Sequence, residues 1–322
     1  MKLRLITCAL TIVLLAGCTN GGKEATPTRT TTVFDAPRAT VAFITHQAPD
    51  DTFWNLVRRG AEAAAAKDNI ELRYFSDPDA ARQADLVRSA VADKVSGIVV
   101  TLAMPEVMAP AVRSATAANI PVVAVNSGIT QWQSMGALGY FGQDEMIAGQ
   151  AAGERFTKAG ATNALCVIQE PGHVGLEARC AGAAKGFTGR TQKLYVDGFD
   201  RAVVKQAVIA KLHEDFSIDQ ILTLSAPVAL AALEAAAEAN SFARIATFDT
   251  NANVVKAIKN GTLDWAIDQQ PYLQGYLAVD SLWLYLVNRN VIGGGFPTLT
   301  GPSFVDETNI DSVADLAEAG TR

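Results

Sequence analysis

The chain has 322 residues, 27 basic and 33 acidic, for a formal net charge of −6, with 49% hydrophobic and 7% aromatic residues. It carries no basic stripe, so it lacks the electrostatic footprint of a nucleic-acid binder. Its length exceeds what a single hydrophobic core usually takes in, so two lobes are expected.

The first residues read as a targeting segment. Residues 1–4 are short and basic, with Lys2 and Arg4. The apolar run 5–16, interrupted by Thr7, Cys8 and Thr11, falls short of the ~20 residues that a membrane-spanning helix needs. It has the form of a signal-peptide core, which places residues 1–17 outside the fold. Leu15-Ala16-Gly17-Cys18 has the pattern of a bacterial lipobox, with Cys18 as the lipidated residue. Ordinary signal cleavage beside an incidental cysteine is the rival reading. Residues 18–38, rich in Thr, Gly, Pro and charge, read as a flexible tether. Removal of Lys2 and Arg4 leaves 25 basic against 33 acidic residues. Such an acidic surface disfavours docking on anionic lipid, so the anchor would be acyl chains alone. Cys166 and Cys180 then remain. In an oxidising compartment they pair as a disulfide or stay as two buried thiols.

Beyond the tether, short β-rich runs alternate with helical patterns. The pattern predicts strands at 40–45, 70–75, 97–102 and 121–126, separated by helices at 53–67, 80–94 and 105–119. Unbroken apolar runs such as Gly97-Ile98-Val99-Val100 suit strands covered on both faces of a parallel sheet. The rhythm restarts with helices predicted at 144–159, 176–187, 201–216, 227–239, 253–260 and 272–288, and strands at 163–169, 193–196, 220–224, 244–248 and 263–268. Two successive series of this kind predict an α/β protein of two doubly wound, parallel-sheet lobes joined by a hinge. The crossovers are expected near Gly142 and near 269–271. The first lobe is then 39–142 with 270–297, and the second 143–269 with 298–322.

Several chemistries lack their motifs. No P-loop, no GxGxxG after the first strand, no GxSxG, no HExxH and no CxxC occurs, so neither cofactor nor metal is expected. His46, His173 and His213 lie far apart in sequence. His173 and His213 read as surface or loop residues.

In open α/β sheets a ligand binds beyond the carboxyl ends of the strands. The strand ends supply His46, Thr101, Asn126, Glu170, Ser225, Asp249 and Gln269, and the loop after the first strand leads through Asp51 to Phe53 and Trp54. Amide, carboxylate and hydroxyl groups suit sugar hydroxyls, which both donate and accept. A flat aromatic suits the C–H face of a sugar ring. Asp51 is equally placed to cap the following helix, and Asn126 and Asp249 are equally suited to turns.

Six segments carry a resemblance: DDTFWNLVRRGAEAAA (50–65), IPVVAVNSG (120–128), YFGQDEMIAGQAAGERF (140–156), IQEPGHVGLEARCAG (168–182), ATFDTN (246–251) and DQQPYLQGY (268–276). In this order they resemble the ribose-binding (type I) periplasmic binding proteins, over about 39–305. The resemblance implies a monomeric solute-binding lipoprotein on the extracytoplasmic face of the cell membrane. It would bind a small sugar or polyol by hinge closure and serve an ABC permease with its cytoplasmic ATPase, without being an enzyme. It also implies that Phe53 and Trp54 flank the ring, that Asp51 and Asn126 bind from the first lobe and Ser225 and Asp249 from the second, that Gln269 sits in the hinge, and that Phe199 is the second-lobe aromatic. The chain departs from the ribose-type pattern at three places. Asn126-Ser127 stands for Asp-Arg, Glu177 stands where a binding arginine is common with Arg179 two residues on, and Thr52 replaces a proline. The loss of two guanidinium forks points away from ribose itself, with another pentose, a pentitol or an inositol as the expected class. A sensory receptor subunit for a furanose-like signal or a nucleoside is the alternative. A hydrolase using Asp51, Asp249 or Glu177 has carboxylates but no nucleophile motif.

Overall fold

The computed structural model describes residues 38–48 and 51–322. Residues 1–17, expected to be a signal segment, Cys18 and all but the last residue of the expected tether lie outside the described residues. The first series comprises β1 (Thr40–Thr45), α1 (Thr52–Lys67), β2 (Glu71–Ser76), α2 (Ala80–Ala92), β3 (Gly97–Thr101), α3 (Pro105–Ala117), β4 (Val122–Val125) and β5 (Tyr140–Gly142). The second comprises α4 (Glu145–Lys158), β6 (Asn163–Ile168), α5 (Val174–Gly186), β7 (Arg190–Tyr195), α6 (Arg201–Glu214), β8 (Gln220–Thr223), α7 (Ala226–Glu238), β9 (Arg244–Phe248), α8 (Ala252–Lys259) and β10 (Trp265–Asp268). The chain ends with α9 (Pro271–Asn288), β11 (Thr298–Leu299), β12 (Ser303–Asp306) and α10 (Asp311–Glu318).

Two six-stranded sheets result, in the orders β11-β5-β4-β3-β1-β2 and β12-β10-β9-β8-β6-β7. Every pairing is parallel except β10 with β12. The two-residue side-chain period of a strand divides each sheet between two helical layers. Val41 and Phe43 of β1 pack with α1 and α9, while Ala42 and Ile44 pack with α2 and α3. In the second sheet Cys166 and Ile168 of β6 face α4 and α5, and Leu165 and Val167 face the layer of α6, α7 and α8.

The chain crosses between sheets three times: after β5, after β10, and between β11 and β12. Thr298–Leu299 pairs with β5. These residues therefore belong to the first sheet, not to the second lobe as the sequence boundary at 298 would have it. The sequence boundary puts this third crossing two residues early, because β11 is only two residues long and carries no apolar run.

Helix α9 returns from the hinge to lie against α1, and the two backbones touch through glycines. A Cβ on Gly275 would run into the carbonyl of Val57, and one on Gly60 into the carbonyl of Tyr272. Because α1 starts at the cleft and α9 starts at a crossing, this seam sets the height of the one against the other. Gly275→Ala should lower stability by about 1–3 kcal/mol through overpacking, read from the midpoint of urea unfolding at unchanged slope.

Candidate functional site

The carboxyl ends of both sheets face a common cleft. It is lined from the first lobe by His46, Asp51, Thr52, Phe53, Trp54 and Asn126, and from the second by Gln169, Glu170, His173, Arg179, Ser225 and Asp249, with Gln269 at the crossing. Its volume is about 460 Å³, including the part open to solvent.

On the first-lobe wall, Asp51 does cap α1, accepting from the Phe53 N–H at 3.0 Å, and it also lines the cleft. One carboxylate thus caps the helix and faces the cleft. Phe53 and Trp54 are buried and meet edge to face at 5.1 Å, and Trp54 meets His46 in the same way at 4.8 Å. They are core residues with one side on the cleft.

Asn126 follows β4 and Asp249 follows β9, the fourth strand of each series, and each has a left-handed backbone with φ of 66°. Asparagine and aspartate tolerate this conformation better than most residues. It turns both side chains to the crossing, where Gln269 joins them. Asn126 Nδ2 donates to Gln269 Oε1 at 3.0 Å, and Gln269 Nε2 donates to Asp249 Oδ1 at 2.7 Å. Gln274 and Thr300 hold the Gln269 carbonyl, at 3.0 and 2.7 Å.

The second-lobe wall is built around Arg179. Its Nε and Nη2 clamp Glu145 at 2.6 and 2.9 Å, its Nη1 donates to the Leu224 carbonyl at 2.9 Å, and the guanidinium lies 4.4 Å over the Phe248 ring. Arg179 and Glu145 are both buried. Burial works against the Arg179 charge, but Glu145 more than offsets it and keeps the group protonated. Among the described lining residues Arg179 is the one permanent cation, and its charge is answered inside the protein.

The carboxylates of the cleft have no such partner. Burial pushes Asp51 up to about 6 against the pull of the Phe53 N–H. Burial, with the Asp51 charge adding to it, pushes Glu170 up to about 7. Asp249 is raised to about 7 by burial, although Arg179 and Gln269 act the other way. The chamber therefore has an excess of acceptors. It suits a ligand that brings several O–H donors and no negative charge.

The structure corrects the sequence at four residues. Thr101 lies behind the wall, where its Oγ1 meets the His46 ring Nδ1 at 2.8 Å and accepts from Gln83 at 2.9 Å. Glu177 faces outward and pairs with Lys193 at 2.7 Å. It is two residues before Arg179 on α5, and such residues lie on nearly opposite helix faces. Phe199 is 62% exposed and is not on the cleft wall. His173, which reads as a surface or loop residue, does end the loop before α5 but is buried in the cleft. Glu170, recognised as a strand end, joins the site. Gln169 was missed, and so was Glu145 behind Arg179. Cys166 of β6 is disulfide-bonded to Cys180 of α5, one residue beyond Arg179.

One group of metal-type donors is present among the described residues. The ring nitrogens of His46 and His173 and a carboxylate oxygen of Glu170 lie within 4.8 Å of one another. The proton count opposes a metal. His173 caps α5 with Nδ1, which accepts from the Gly175 and Leu176 N–H groups at 3.0 and 3.4 Å. A neutral ring then carries its proton on Nε2, the atom that would have to be a bare ligand. These residues do not fit a metal in this conformation.

A model of the periplasmic binding protein domain matches residues 41–290. The chain belongs to that family. Among solved periplasmic binding proteins, a carbohydrate transporter from Acidothermus cellulolyticus in complex with myo-inositol is 55% identical, with a TM-score of 0.88 over 89% of this chain and 100% of that one. A periplasmic sugar-binding protein of an ABC sugar transporter from Legionella pneumophila is 26% identical, with a TM-score of 0.75 over 82% of this chain and 100% of that one. A xylose/arabinose-binding protein from Sulfolobus acidocaldarius is 27% identical over 245 residues, 70% of this chain and 60% of that relative's length. In this periplasmic binding protein the two α/β lobes meet at the site described above.

The Arg179–Glu145 pair gives a stability test. Arg179→Met leaves a buried carboxylate unpaired and should cost about 3–5 kcal/mol in chemical unfolding of the ligand-free protein, whereas adding Glu145→Gln should recover much of that loss.

Proposed function

We propose that this chain is the extracytoplasmic solute receptor of an ABC importer and that its cargo is a small neutral polyol, a cyclitol of the myo-inositol type before a pentose. The observation that carries the reading is the chemistry of the cleft. Asp51, Glu170 and Asp249 face it together, while its guanidinium is committed to Glu145. A ring bearing many hydroxyls supplies the donors that these carboxylates lack, and the aromatic pair Phe53 and Trp54 offers a surface for ring C–H groups. An anionic sugar would meet a cleft with no free cation among the described lining residues. The 55% identity to a protein solved with myo-inositol supports the cyclitol end of the range.

The lobes extend over about 39–142 with 270–299, and 143–269 with 300–322. A ligand held between them draws the closed form out of an open-closed equilibrium, since second-lobe contacts exist only on closure. A permease and its ATPase would read the closed shape. Cys18 would carry the lipid that keeps a monomeric receptor at the outer face of the membrane.

A thermal-shift screen tests the reading. At one hundred times its dissociation constant a ligand adds about 2.7 kcal/mol, so myo-inositol should raise Tm by a few degrees while xylose and arabinose do less. No response to any polyol, with a response to an anion or a nucleoside, would overturn it. Glu170 accepts no side-chain hydrogen bond from the described residues, so Glu170→Gln should leave Tm unchanged or higher. It should also weaken myo-inositol binding by about 1.5–3 kcal/mol in a calorimetric titration.

A further inference from the structure

Several hydrogen-bond donors of the cleft are committed inside the protein. Asn126 donates to Gln269, Gln269 to Asp249, and Arg179 to Glu145 and the Leu224 carbonyl. Two polar side chains of the second-lobe wall are not committed. Gln169 and Thr250 both line the chamber, and Gln169 Oε1 and Thr250 Oγ1 are buried with no hydrogen-bond partner among the described residues. A buried polar atom without a partner costs about 1–3 kcal/mol, so each calls for a reason. Asp68, Gln83 and Gln143 also carry one such atom, but each spends its other one on Lys67, Thr101 or Glu145. Thr191 lies on the edge strand β7 and not on the chamber lining.

Both positions are fixed by their neighbours. Gln169 follows β6, and the Gly198 N–H donates to its carbonyl at 3.0 Å. A Cβ on Gly198 would lie 2.5 Å from that of Gln169, so the loop after β7 closes on Gln169 because Gly198 has none. Thr250 is 4% exposed. It stands between Asp249, whose backbone is left-handed, and Asn251, which caps α8 by accepting from the Val254 N–H at 2.8 Å. The sheet order β9-β8-β6 puts Ser225, which follows β8, between them. Strands ~4.8 Å apart place the ends of β9 and β6 roughly 10 Å from each other, a span that a six-membered ring with hydroxyls on opposite sides can bridge.

We propose that Gln169 and Thr250 are specificity-determining residues that donate to hydroxyl oxygens of the bound polyol, one on each side of its ring. A hydroxyl donates one proton and accepts as well. The carboxylates of Asp51, Glu170 and Asp249 in the lining accept from such a group and give nothing to its oxygen. The Gln169 amide, turned to present its NH2, and the Thr250 O–H supply what the carboxylates cannot. A hydroxyl paired as donor and as acceptor is held in one direction, so the arrangement reads where hydroxyls stand on the ring and not merely how many there are. These roles rest on the polyol reading given above and add the side chains that choose among polyols.

Calorimetric titration with myo-inositol tests both roles. Thr250→Val keeps the branched shape and loses the hydroxyl, and Gln169→Leu loses the amide. Each variant should bind roughly 5- to 50-fold more weakly than wild type. Ligand-free, each should melt at the wild-type temperature or above it, because an orphan polar group has become apolar. Monodeoxy-inositols then locate the contacts through a cycle of ligand and residue changes. Each variant should be indifferent to the loss of one hydroxyl, a different one for each, to which wild type is sensitive. Unchanged affinity in both variants would overturn the assignment. So would equal sensitivity of the variants to every deoxy analogue, since the wall would then act by shape alone. A lower ligand-free Tm with unchanged affinity would give both side chains a structural role and reject it as well. If wild type binds xylose or arabinose but not myo-inositol, the cyclitol reading fails and the same variants are titrated with that pentose. A loss of roughly 5-fold or more keeps the roles, and unchanged affinity rejects them. If wild type binds none of the three, both roles fall with the polyol reading.

Discussion

The buried side-chain amide of Gln269 is the group on which both halves of the site depend. A buried amide must find partners for its oxygen and its nitrogen, and here they come from different lobes: Asn126 donates to the oxygen and Asp249 accepts from the nitrogen. Both partners sit one residue past equivalent strands in the same left-handed backbone conformation. The two series of βα units therefore deliver matching side chains to one point, and the crossing strand supplies the residue that reads both. Replacing Asp249 with an apolar residue would leave the Gln269 nitrogen without its acceptor in the interior, a cost of about 1–3 kcal/mol, whereas the oxygen also accepts from Gln274 at 3.1 Å. The carbonyl of the same residue is held by Gln274 and Thr300. Cleft and hinge thus share one hydrogen-bond network, and a side chain that shifts in the cleft shifts the backbone about which the lobes turn.

The electrostatics of the second lobe explain why the cleft is acidic despite containing an arginine. Arg179 is the kind of planar, five-donor group that could grip a sugar directly, but three of its N–H groups go to Glu145 and Leu224. The pair is rigid because α4 and α5 pack closely, a Cβ on Gly149 running into the Arg179 carbonyl. The guanidinium braces the wall and lends only its remaining donors and its field to the chamber. Asp249 feels that field as a downward pull that does not overcome burial. The cleft is then a place where carboxylates wait for hydroxyl donors.

The fold was legible in the sequence to the extent that burial made it so. Strands covered on both faces, such as β3 with all five residues buried, show as unbroken apolar runs. The edge strand β7, with three of its six residues exposed and the sequence RTQKLY, was placed three residues late for the same reason. Site residues at strand ends, such as Asn126, Asp249 and Gln269, were legible because the topology rule puts ligands there. The failures come from helical phase and capping. Glu177 and Arg179 are both near the start of α5, and only the three-dimensional turn shows that one faces Lys193 and the other Glu145. His173 reads as a surface or loop residue, and histidine is not among the residues that usually cap helices. Nothing local distinguishes it from a loop residue until Ser127 and His46 are brought to it from distant parts of the chain.

The costs built into the cleft have a common logic. Two imidazoles are kept neutral by burial and three carboxylates are raised by it. Each of these groups would be better solvated with the lobes apart. A receptor whose empty closed form were comfortable would close without cargo and present the same shape loaded or empty. Uncompensated carboxylates penalise the closed form until hydroxyl donors arrive. A two-state element is useful only when its states differ by a few kcal/mol, and the buried carboxylates weigh on that difference until a ligand answers them.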